Sequence, residues 1–363
     1  MGCFIAEPLR LFAANGAINT VIAVQPAYRD MVRASATAVP AKWVRFFTLP
    51  SSYGLASSGA FLFARLLGEI RRIHAANPIH VIHAHSALPC GHAATLLKRE
   101  FGIPFAVTVH GLDAYSTNQV KGRSGKWCER ISSMVYRSAS RVICVSERVR
   151  EQVAAGSARS AKTSVIYNGV DPDLFSPPQS PPTSETILSI GSLIPIKSHA
   201  VLIHAFAAIR DRFPLVRCDI IGEGSERDRL QSLTRQLRLA DRVRFLGRQS
   251  RSQVADAMQN CAVFALPSRY EALGCVYLEA MSCAKPAIGC REQGIEEIIQ
   301  HGRDGWLIEP DNLSQMIEAL TTLLQDHALR QQMGAAAREK ILHGFTLAHQ
   351  SAQLVETLQE CRA

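Results

Sequence analysis

The chain has 363 residues, 47% of them hydrophobic and 20% charged, which is the composition of a folded globular protein long enough for two domains. No stretch reaches the roughly 18 apolar residues of a membrane span, and the N-terminus has no basic region followed by an apolar core, so neither an integral membrane protein nor a secreted one is expected. The formal net charge is +9, but the Lys and Arg residues are dispersed without an aromatic stacking platform, so a nucleic-acid-binding protein is not expected either.

Short apolar runs rich in β-branched residues alternate with amphipathic stretches of helical period along the chain. This alternation predicts parallel sheets joined by crossover helices, that is, an α/β fold. In the first half a long helix is predicted over 58–75. The strands predicted there are 20–24, 43–48, 80–83, 105–109, 141–144 and 164–167.

A proline-rich stretch, SPPQSPPTS, occupies 176–184 and can extend neither a helix nor a central strand. We therefore expect it to link an N-terminal domain over 1–175 to a C-terminal domain over 185–345. A last helix within 346–363 is expected to pack back on the N-terminal domain.

The same alternation restarts after the linker. The predicted strands are 187–190, VRCDIIGEG, 243–246, AVFALPS, KPAIGC and GWLIEP. The predicted helices are 199–212, 226–238, 252–260, one starting near 275, 313–325, 327–341 and 347–361. The second half is therefore expected to be doubly wound as well.

The segment PSRYEALGCVYLEAMSCAKPAIGC contains the most informative pair of residues. It places Glu271 at the carboxyl end of a strand and Glu279 on the helix that follows, and ligands of open α/β sheets bind at such strand ends. The first turn of that helix, near 274–276, exposes backbone N–H groups that suit a phosphate, and Gly274 lets the backbone approach it. Glu279 can then accept hydrogen bonds from ribose hydroxyls. Alone, two carboxylates eight residues apart are more typical of a solvated helix face.

The whole segment resembles the E-x7-E signature of the retaining glycosyltransferases of family 4. Other segments resemble that family in the expected order: VIHAHSALP, VTVHGLDAY, VICVSERV, VIYNGVDPDLF, IGSLIPIKSH, IGEG, VRFLG and GIEEIIQHGRDGWLIEP. The resemblance covers nearly the whole chain. It implies an α/β GT-B fold, in which two doubly wound Rossmann-like domains face each other across a cleft.

The resemblance also implies a donor site in the second domain. Lys197 matches the lysine that neutralises the donor diphosphate, and Glu271 is expected to meet the transferred sugar. Ser192 stands where the family usually has an arginine, so either Lys197 and the helix N-terminus suffice or another basic residue substitutes. The residues predicted to bind the nucleotide sugar are Gly191, Ser192, Lys197, Gly222, Glu223, Leu273, Gly274, Cys275, Val276 and Glu279.

In the first domain the resemblance points to histidines at strand ends. His110 matches a histidine near the donor sugar and is predicted to be catalytic together with Lys197 and Glu271; the alternative is a structural histidine. On the acceptor side we expect Gly2, His85 and Asp113, whereas His83 is expected to point inward.

Two motifs are set aside. Gly222-Glu223-Gly224 follows a strand, but Arg227 occupies the place of the third glycine, so a nicotinamide site is not expected. Asp171-x-Asp173 imitates a metal-binding D-x-D, but it lies in a segment that resembles the entry to the interdomain linker. Because GT-B enzymes of this kind generally work without a metal, the resemblance implies no metal ion and no other cofactor.

The start of the chain departs from the family pattern, in which a strand, a glycine-rich loop and a helix open the N-terminal domain. Here Gly2 resembles the end of that loop and 6–15 resembles the helix. The first strand is therefore expected to be missing, either because the true start lies upstream or because the N-terminal domain is defective.

These observations predict a retaining glycosyltransferase that moves a sugar from a nucleotide diphosphate, with UDP favoured, to a glycan or lipid-linked acceptor in cell-surface polysaccharide biosynthesis. Two alternatives stay open: a truncated, non-catalytic nucleotide-sugar-binding protein, and a GT-B relative with different chemistry, such as a phosphorylase or an epimerase.

The charge distribution and the cysteines bear on where the protein works. Residues 1–170 carry 20 Lys and Arg against 8 Asp and Glu, so this half is expected to face an anionic membrane surface or acidic acceptor, unless it is a solvated basic surface without a partner. The ten cysteines are scattered and form no C-x-x-C pair, which is typical of buried thiols in a reducing compartment. A cytoplasmic protein in peripheral contact with the inner membrane face is predicted.

Overall fold

The computed structural model describes residues 3–17, 19–28, 40–49, 54–114, 120, 122–156, 161–179 and 185–362. The chain forms two compact units, one of Met1–Asn168 with Leu347–Ala363 and the other of Gly169–Thr346. The division falls before the expected 175 because Phe175 is fully buried in the second unit, where its carbonyl oxygen accepts a hydrogen bond from Ser282 Oγ at 2.7 Å.

Two predicted features lie wholly or partly outside the described residues. Gly2 is one of them. Of the expected linker, 176–179 belongs to the second unit and 180–184 is outside the described residues.

The described residues of the first unit form two parallel sheets. The smaller pairs β1 (Val21–Pro26) with β2 (Ala41–Phe46). The larger has four strands in sequential order, which are β3 (Ile82–His85), β4 (Phe105–Val109), β5 (Arg141–Cys144) and β6 (Thr163–Val165). Every position of β4 is buried, as expected for a parallel strand covered on both faces.

Among the described residues, β1 pairs only with β2 and β3 pairs only with β4, so the sheet of this unit is in two pieces. Both pieces nevertheless pack on one apolar cluster, which joins Val24 of β1 and Ile82 of β3 to the buried Leu62 and Leu66.

The helices that the structure describes before the interunit division are α1 (Cys3–Leu9), α2 (Leu55–Ala76), α3 (His92–Phe101), α4 (Gly122–Ser138) and α5 (Glu147–Ala155). Their ends follow local chemistry. The hydroxyl of Ser146 accepts the backbone N–H of Val149 at 3.2 Å and so caps α5, and Gly102, with φ +72°, ends α3 in the left-handed region.

The second unit has one parallel sheet of six strands. They are β7 (Thr186–Ile190), β8 (Arg217–Ile221), β9 (Val243–Gly247), β10 (Val263–Ala265), β11 (Ala287–Cys290) and β12 (Trp306–Ile308). Their order is β12-β11-β10-β7-β8-β9, so the chain leaves β7 toward one edge and returns on its other side at β10. The topological switch point, where such sheets bind ligands, therefore lies between the carboxyl ends of β7 and β10.

Helices cover this sheet: α6 (His199–Ile209), α7 (Arg227–Gln236), α8 (Arg251–Asn260), α9 (Cys275–Ser282), α10 (Leu313–Gln325) and α11 (His327–Gly344). One core cluster joins sheet and helices, and its fully buried members include Ile187, Ile220, Phe206 and Leu320. Burying such a side chain contributes about 1.5–3 kcal/mol to the stability of the fold. Because the core is built from these side chains, the apolar runs of the sequence mark the strands and helices that form it.

The last helix, α12 (Leu347–Glu360), belongs to the first unit. Leu354 and Leu358 pack in one cluster with Ala106 of β4 and Ile143 of β5. The amide of Gln350 donates to Asn168 Oδ1 at 3.2 Å, so the helix contacts the larger sheet through apolar and polar groups.

The expected α/β fold with two doubly wound units is confirmed, with shifts at some strands. The strand predicted over 80–83 lies at Ile82–His85, because pairing begins where Ile82 N–H donates to the Pro104 carbonyl at 2.9 Å. Both His83 and His85 are consequently inside the strand. No helix in the described parts of the chain has the length and apolar character needed to cross a bilayer.

Candidate active site

The loop after β7 meets the end of β8 through backbone atoms. The N–H of Gly191 donates to the Ile221 carbonyl at 3.0 Å, and Gly222 N–H donates to the Gly247 carbonyl at 2.9 Å. Gly222 has φ +144°, and a Cβ there would overlap the carbonyl oxygen of Gly191. Only glycine therefore fits at this position, where the loops after β7 and β8 pack against each other.

Lys197 ends a short 3-10 turn, Pro195–Lys197, that leads from this loop into α6. Its Nζ contacts Oε2 of Glu271, which follows β10, so the ion pair spans the switch point. The turn is fixed from both sides, since Lys197 N–H donates to the Ile194 carbonyl at 3.0 Å and Arg269 N–H donates to the Ile196 carbonyl at 2.9 Å. Two predicted catalytic side chains are thus brought together.

Glu271 is held by a loop that sequence reasoning missed. Its N–H donates to Oε1 of the buried Gln293 at 3.0 Å, and its carbonyl accepts the N–H of Gly294 at 3.0 Å. A Cβ on Gly294 would overlap the carbonyl oxygen of Ala272, so this glycine permits the two loops to touch. The GIEE segment was noted for its resemblance, but its contact with Glu271 depends on tertiary structure.

The N-terminus of α9 lies directly after Glu271. Gly274 occupies the N-cap with φ +84° and no side-chain cap, and a Cβ there would lie 2.5 Å from Cδ2 of Tyr277 and 2.8 Å from Cγ of Glu271. The backbone N–H groups of Cys275 and Val276 fall in the first turn of this helix. They and the helix dipole suit an anion.

Tyr277 anchors this helix to the sheet. It is fully buried, and its hydroxyl donates to the carbonyl of Leu266 just after β10 at 2.5 Å. Burial raises the pKa of Tyr277 well above its usual value of 10, so the hydroxyl stays a neutral donor. The neighbouring Leu273, which was predicted to bind the donor, is also buried.

Glu279 is 3% exposed, and its Oε1 accepts a bond from NH1 of Arg251, the first residue of α8. The Arg251 guanidinium lies 4.6 Å from the ring centroid of Phe175. Sequence reasoning placed Glu279 in the site but missed Arg251, which lies in no motif.

Ser192 is exposed and places no guanidinium at the loop. The nearby arginines make other contacts: Arg269 Nε lies 3.0 Å from Ser198 Oγ and from Asp311 Oδ2, and Arg227 contacts the carboxylate of Glu223. Glu223 is joined to the loop through its carbonyl, which accepts Leu193 N–H at 3.0 Å.

His199 lies behind the loop and was not predicted as a site residue. It is 2% exposed, and within the described residues neither ring nitrogen has a hydrogen-bond partner. A Cβ on Gly191 would lie 3.7 Å from Cε1 of His199. Burial, followed by the charge of Lys197, lowers the pKa of His199 to about 4, so the loop packs on a neutral imidazole at pH 7.

Three histidines of the first unit lie close together, His83 and His85 in β3 and His110 directly after β4. His83 Nε2 and Thr108 Oγ1 are 2.7 Å apart, and His85 Nδ1 lies 3.1 Å from His110 Nε2. The backbone N–H of His110 donates to Oδ1 of Asp113 at 2.9 Å. The cluster thus contains the predicted residues His85, His110 and Asp113, with the His110 Nε2 directed at His85.

Burial keeps this cluster neutral. Burial lowers the pKa of His83 to about 4, and the charge of His110 lowers it further by a smaller amount. Burial also lowers the pKa values of His85 and His110. The charge of Asp113 raises the pKa of His110, but this effect is smaller than that of burial. A cavity of about 10 Å3, about the size of one water molecule, adjoins the three rings. Neutral imidazoles here can exchange hydrogen bonds with hydroxyl groups.

The D-x-D motif forms a turn. Oδ1 of Asp171 accepts the N–H groups of Asp173 at 3.1 Å and Leu174 at 3.2 Å. Across the part of the chain that the structure describes, no group of three His, Cys, Asp or Glu side chains is arranged to hold a metal ion.

Two family models match the chain in succession. The model described as Glycosyltransferase Family 4 matches residues 9–174, and the model described as Glycosyl transferases group 1 matches residues 171–340. An uncharacterized glycosyltransferase of Methanocaldococcus jannaschii is 31% identical over 262 residues, which are 72% of this chain and 70% of the relative. The N-acetyl-alpha-D-glucosaminyl L-malate synthase of Bacillus anthracis is 29% identical over 278 residues, 74% of this chain and 71% of the relative.

Solved structures show the same fold at lower identity. The sucrose-phosphate synthase of Thermosynechococcus elongatus superposes with a TM-score of 0.81 at 20% identity, covering 99% of this chain and 92% of its own. The Anabaena protein HepE in complex with UDP superposes with a TM-score of 0.78 at 21% identity, covering 99% and 96%.

Proposed function

This chain belongs to glycosyltransferase family 4, and from that membership we propose that it moves a sugar from a nucleotide diphosphate to a glycan or lipid-linked acceptor with retention of anomeric configuration. The observation that carries the proposal is the contact of Lys197 with Glu271 at the switch point, beside the uncapped N-terminus of α9. The cation and the helix N-terminus can bind a diphosphate, and the carboxylate can accept a hydrogen bond from a sugar hydroxyl.

The donor is proposed to bind with its diphosphate between Lys197 and the first turn of α9. Glu279 would accept bonds from the ribose hydroxyls, and Glu271 and His110 would position the sugar. The nucleotide favoured is UDP, which is the ligand named with the fold neighbour HepE. Lys197 and the helix N-terminus supply positive charge for the diphosphate, so the proposal includes no metal ion and no other cofactor.

The proposed chemistry is a front-side displacement. The bond from the anomeric carbon to the β-phosphate oxygen breaks, and the acceptor oxygen bonds to the anomeric carbon on the same face. The acceptor hydroxyl proton passes to the departing phosphate oxygen. Lys197 stabilises the charge that develops on the leaving nucleotide, which is where electrostatic preorganisation lowers a barrier most.

The acceptor is proposed to be a glycan or lipid-linked sugar used for a cell-surface polysaccharide. His85 and Asp113 are proposed to meet acceptor hydroxyls, supported by the neutral state of the histidine cluster and by Oδ2 of Asp113, which is buried without a hydrogen-bond partner in the described residues. Gly2, assigned to the same role, lies outside the described residues.

Peripheral contact with an anionic membrane is part of the proposal, and one face of α4 supports it. Its exposed residues at helical spacing include Arg123, Lys126, Trp127 and Arg130. Trp127 is 47% exposed, and a cationic helix face with an aromatic ring is typical of helices that lie on anionic bilayers. Co-sedimentation with vesicles of phosphatidylglycerol and phosphatidylcholine should increase with the anionic fraction and decrease in Trp127→Ser. Binding that ignores lipid charge would contradict this part.

Product analysis tests the function. We expect the purified chain to release nucleotide diphosphate from UDP-sugars in the presence of an oligosaccharide mixture, and the 1H NMR coupling of the new anomeric proton to show retention. Inversion would contradict the mechanism. Donor binding without turnover would favour the non-catalytic nucleotide-sugar-binding protein. Phosphate-dependent cleavage would indicate a phosphorylase, and conversion of the donor without an acceptor would indicate an epimerase.

A further inference from the structure

The carboxylate of Glu279 is paired inside the second unit. It is 3% exposed and contacts NH1 of Arg251, whose own side chain is 33% exposed. A buried carboxylate without a partner is costly and is driven toward its protonated form. The positive charge of Arg251 therefore offsets the cost of burying the Glu279 carboxylate.

Arg251 is itself held in place from its other side. Its guanidinium lies 4.6 Å from the ring centroid of the fully buried Phe175, a distance at which a cation and an aromatic face attract. The Phe175 carbonyl accepts a hydrogen bond from Ser282 Oγ at 2.7 Å, and Ser282 lies on α9, the helix that carries Glu279. Contacts thus link Phe175, Arg251 and α9 beside this carboxylate.

The start of α8 gives this arrangement a defined geometry. Ser250 and Gln253 form a capping box, in which the Ser250 hydroxyl accepts Gln253 N–H at 3.3 Å and Ser250 N–H donates to Gln253 Oε1 at 2.9 Å. Arg251 is the first helical residue after this cap, so its backbone position is set independently of Glu279.

We propose that Arg251 is a positioning residue of the donor site, which binds Oε1 of Glu279 and orients this carboxylate for the ribose hydroxyls of the nucleotide. The inference rests on the proposed function, in which Glu279 binds the ribose. A carboxylate has about four acceptor directions over two oxygens, so one carboxylate can bind more than one donor. The arginine fixes the rotamer of Glu279, and this rotamer determines how well a ribose is recognised.

Nucleotide binding to the full chain tests this, with UDP and 2′-deoxy-UDP measured by calorimetry. Wild type should prefer UDP. Arg251→Gln should weaken UDP binding by roughly 10- to 100-fold, as for a lost charge-assisted bond, and should shrink the preference for UDP over 2′-deoxy-UDP. Arg251→Lys, which keeps a cation near Glu279, should restore part of that preference.

Arg244→Gln is the matched control. Arg244 pairs with Asp219, another buried carboxylate, at 2.7 Å from Nε to Oδ1, on neighbouring strands β9 and β8. The Arg244→Gln variant should be less stable than wild type but should keep its preference for UDP over 2′-deoxy-UDP. A change in preference that is seen only in Arg251→Gln is then due to lost positioning of Glu279 and not to the loss of an ion pair in general.

Two results overturn the inference in distinguishable ways. If Glu279→Ala weakens UDP binding but Arg251→Gln keeps the wild-type preference for UDP over 2′-deoxy-UDP, Arg251 does not position Glu279. If Glu279→Ala leaves UDP binding unchanged, the proposed ribose role fails and the inference fails with it.

Discussion

The ammonium of Lys197 and the carboxylate of Glu271 meet at the point where the strand order of the second sheet reverses. The two side chains are 17% and 15% exposed, so their charges are partly shielded from water and remain within reach of a ligand. A diphosphate that binds Lys197 must share or displace this contact. The pair therefore keeps a cation and a carboxylate positioned before substrate arrives.

Lys197→Ala should lower kcat/KM by more than about 10-fold, or about 1.4 kcal/mol, because the ammonium stabilises charge on the leaving nucleotide. Steady-state kinetics with the donor that the chain binds will measure this. A smaller loss would argue against a major charge-stabilising role.

A lysine in another ion pair of the same unit provides the control for that experiment. Lys340 contacts the buried Asp304 and also donates to the Ile298 carbonyl at 2.7 Å. Lys340→Ala should lower the melting temperature, since it leaves a buried carboxylate unpaired, but should preserve kcat/KM at temperatures where the protein is folded.

Gly274→Ala should weaken donor binding by at least about 10-fold and destabilise the chain by about 1–3 kcal/mol. The residue has φ +84°, and the new Cβ would press on the Tyr277 ring and on Glu271 Cγ. Isothermal calorimetry and urea denaturation measure the two effects. In the control Gly302→Ala, φ is +78° and no atom lies within 4 Å of the new Cβ, so only the backbone strain should remain. Equal donor binding by both variants would contradict this account of the α9 N-terminus.

The stability of the chain should contain an acid-sensitive contribution from His199. Its pKa is about 4 in the folded protein, whereas an exposed histidine has an ordinary pKa of 6.5, so between these pH values the unfolded chain binds more protons. The contribution is fully present above pH 6.5 and is lost as pH falls toward 4, at up to about 1.4 kcal/mol per pH unit.

Replacing this imidazole should flatten the dependence. Urea denaturation at pH 6.5 and at pH 4 gives the free energy of unfolding of both proteins. Between these pH values this free energy should decrease by about 3 kcal/mol less in His199→Gln than in wild type. Parallel curves for the two proteins would show that burial of His199 is not linked to proton binding.

Much of this architecture could be predicted because its signals are local. β7, β8 and α9 follow from apolar runs and flanking loops, and the placement of Glu271 and Glu279 follows from their motif. Arg251 and Gln293 could not be predicted in the same way, because their roles arise only when α8 and the loop after β11 pack beside the site. The register between β3 and β4 and the contact of His85 with His110 likewise depend on segments that are far apart in the chain.

The boundary between the units illustrates the same limit. The proline-rich stretch is the strongest local signal, yet the division falls earlier, since Phe175 packs into the second unit. Local composition shows where a chain cannot continue a helix or strand, whereas burial decides to which core the preceding residues belong.

Saturation-transfer NMR of the purified chain with UDP-, GDP- and ADP-sugars tests the central claim most directly, with Glu279→Ala as the variant and Glu318→Ala, an exposed residue of α10, as its control. We expect one nucleotide, UDP, to show transfer to its ribose and base protons in wild type and in Glu318→Ala, and the signal to weaken in Glu279→Ala. Absence of transfer to any of the three from a folded chain, or a signal that survives unchanged in Glu279→Ala, would contradict the donor site described here.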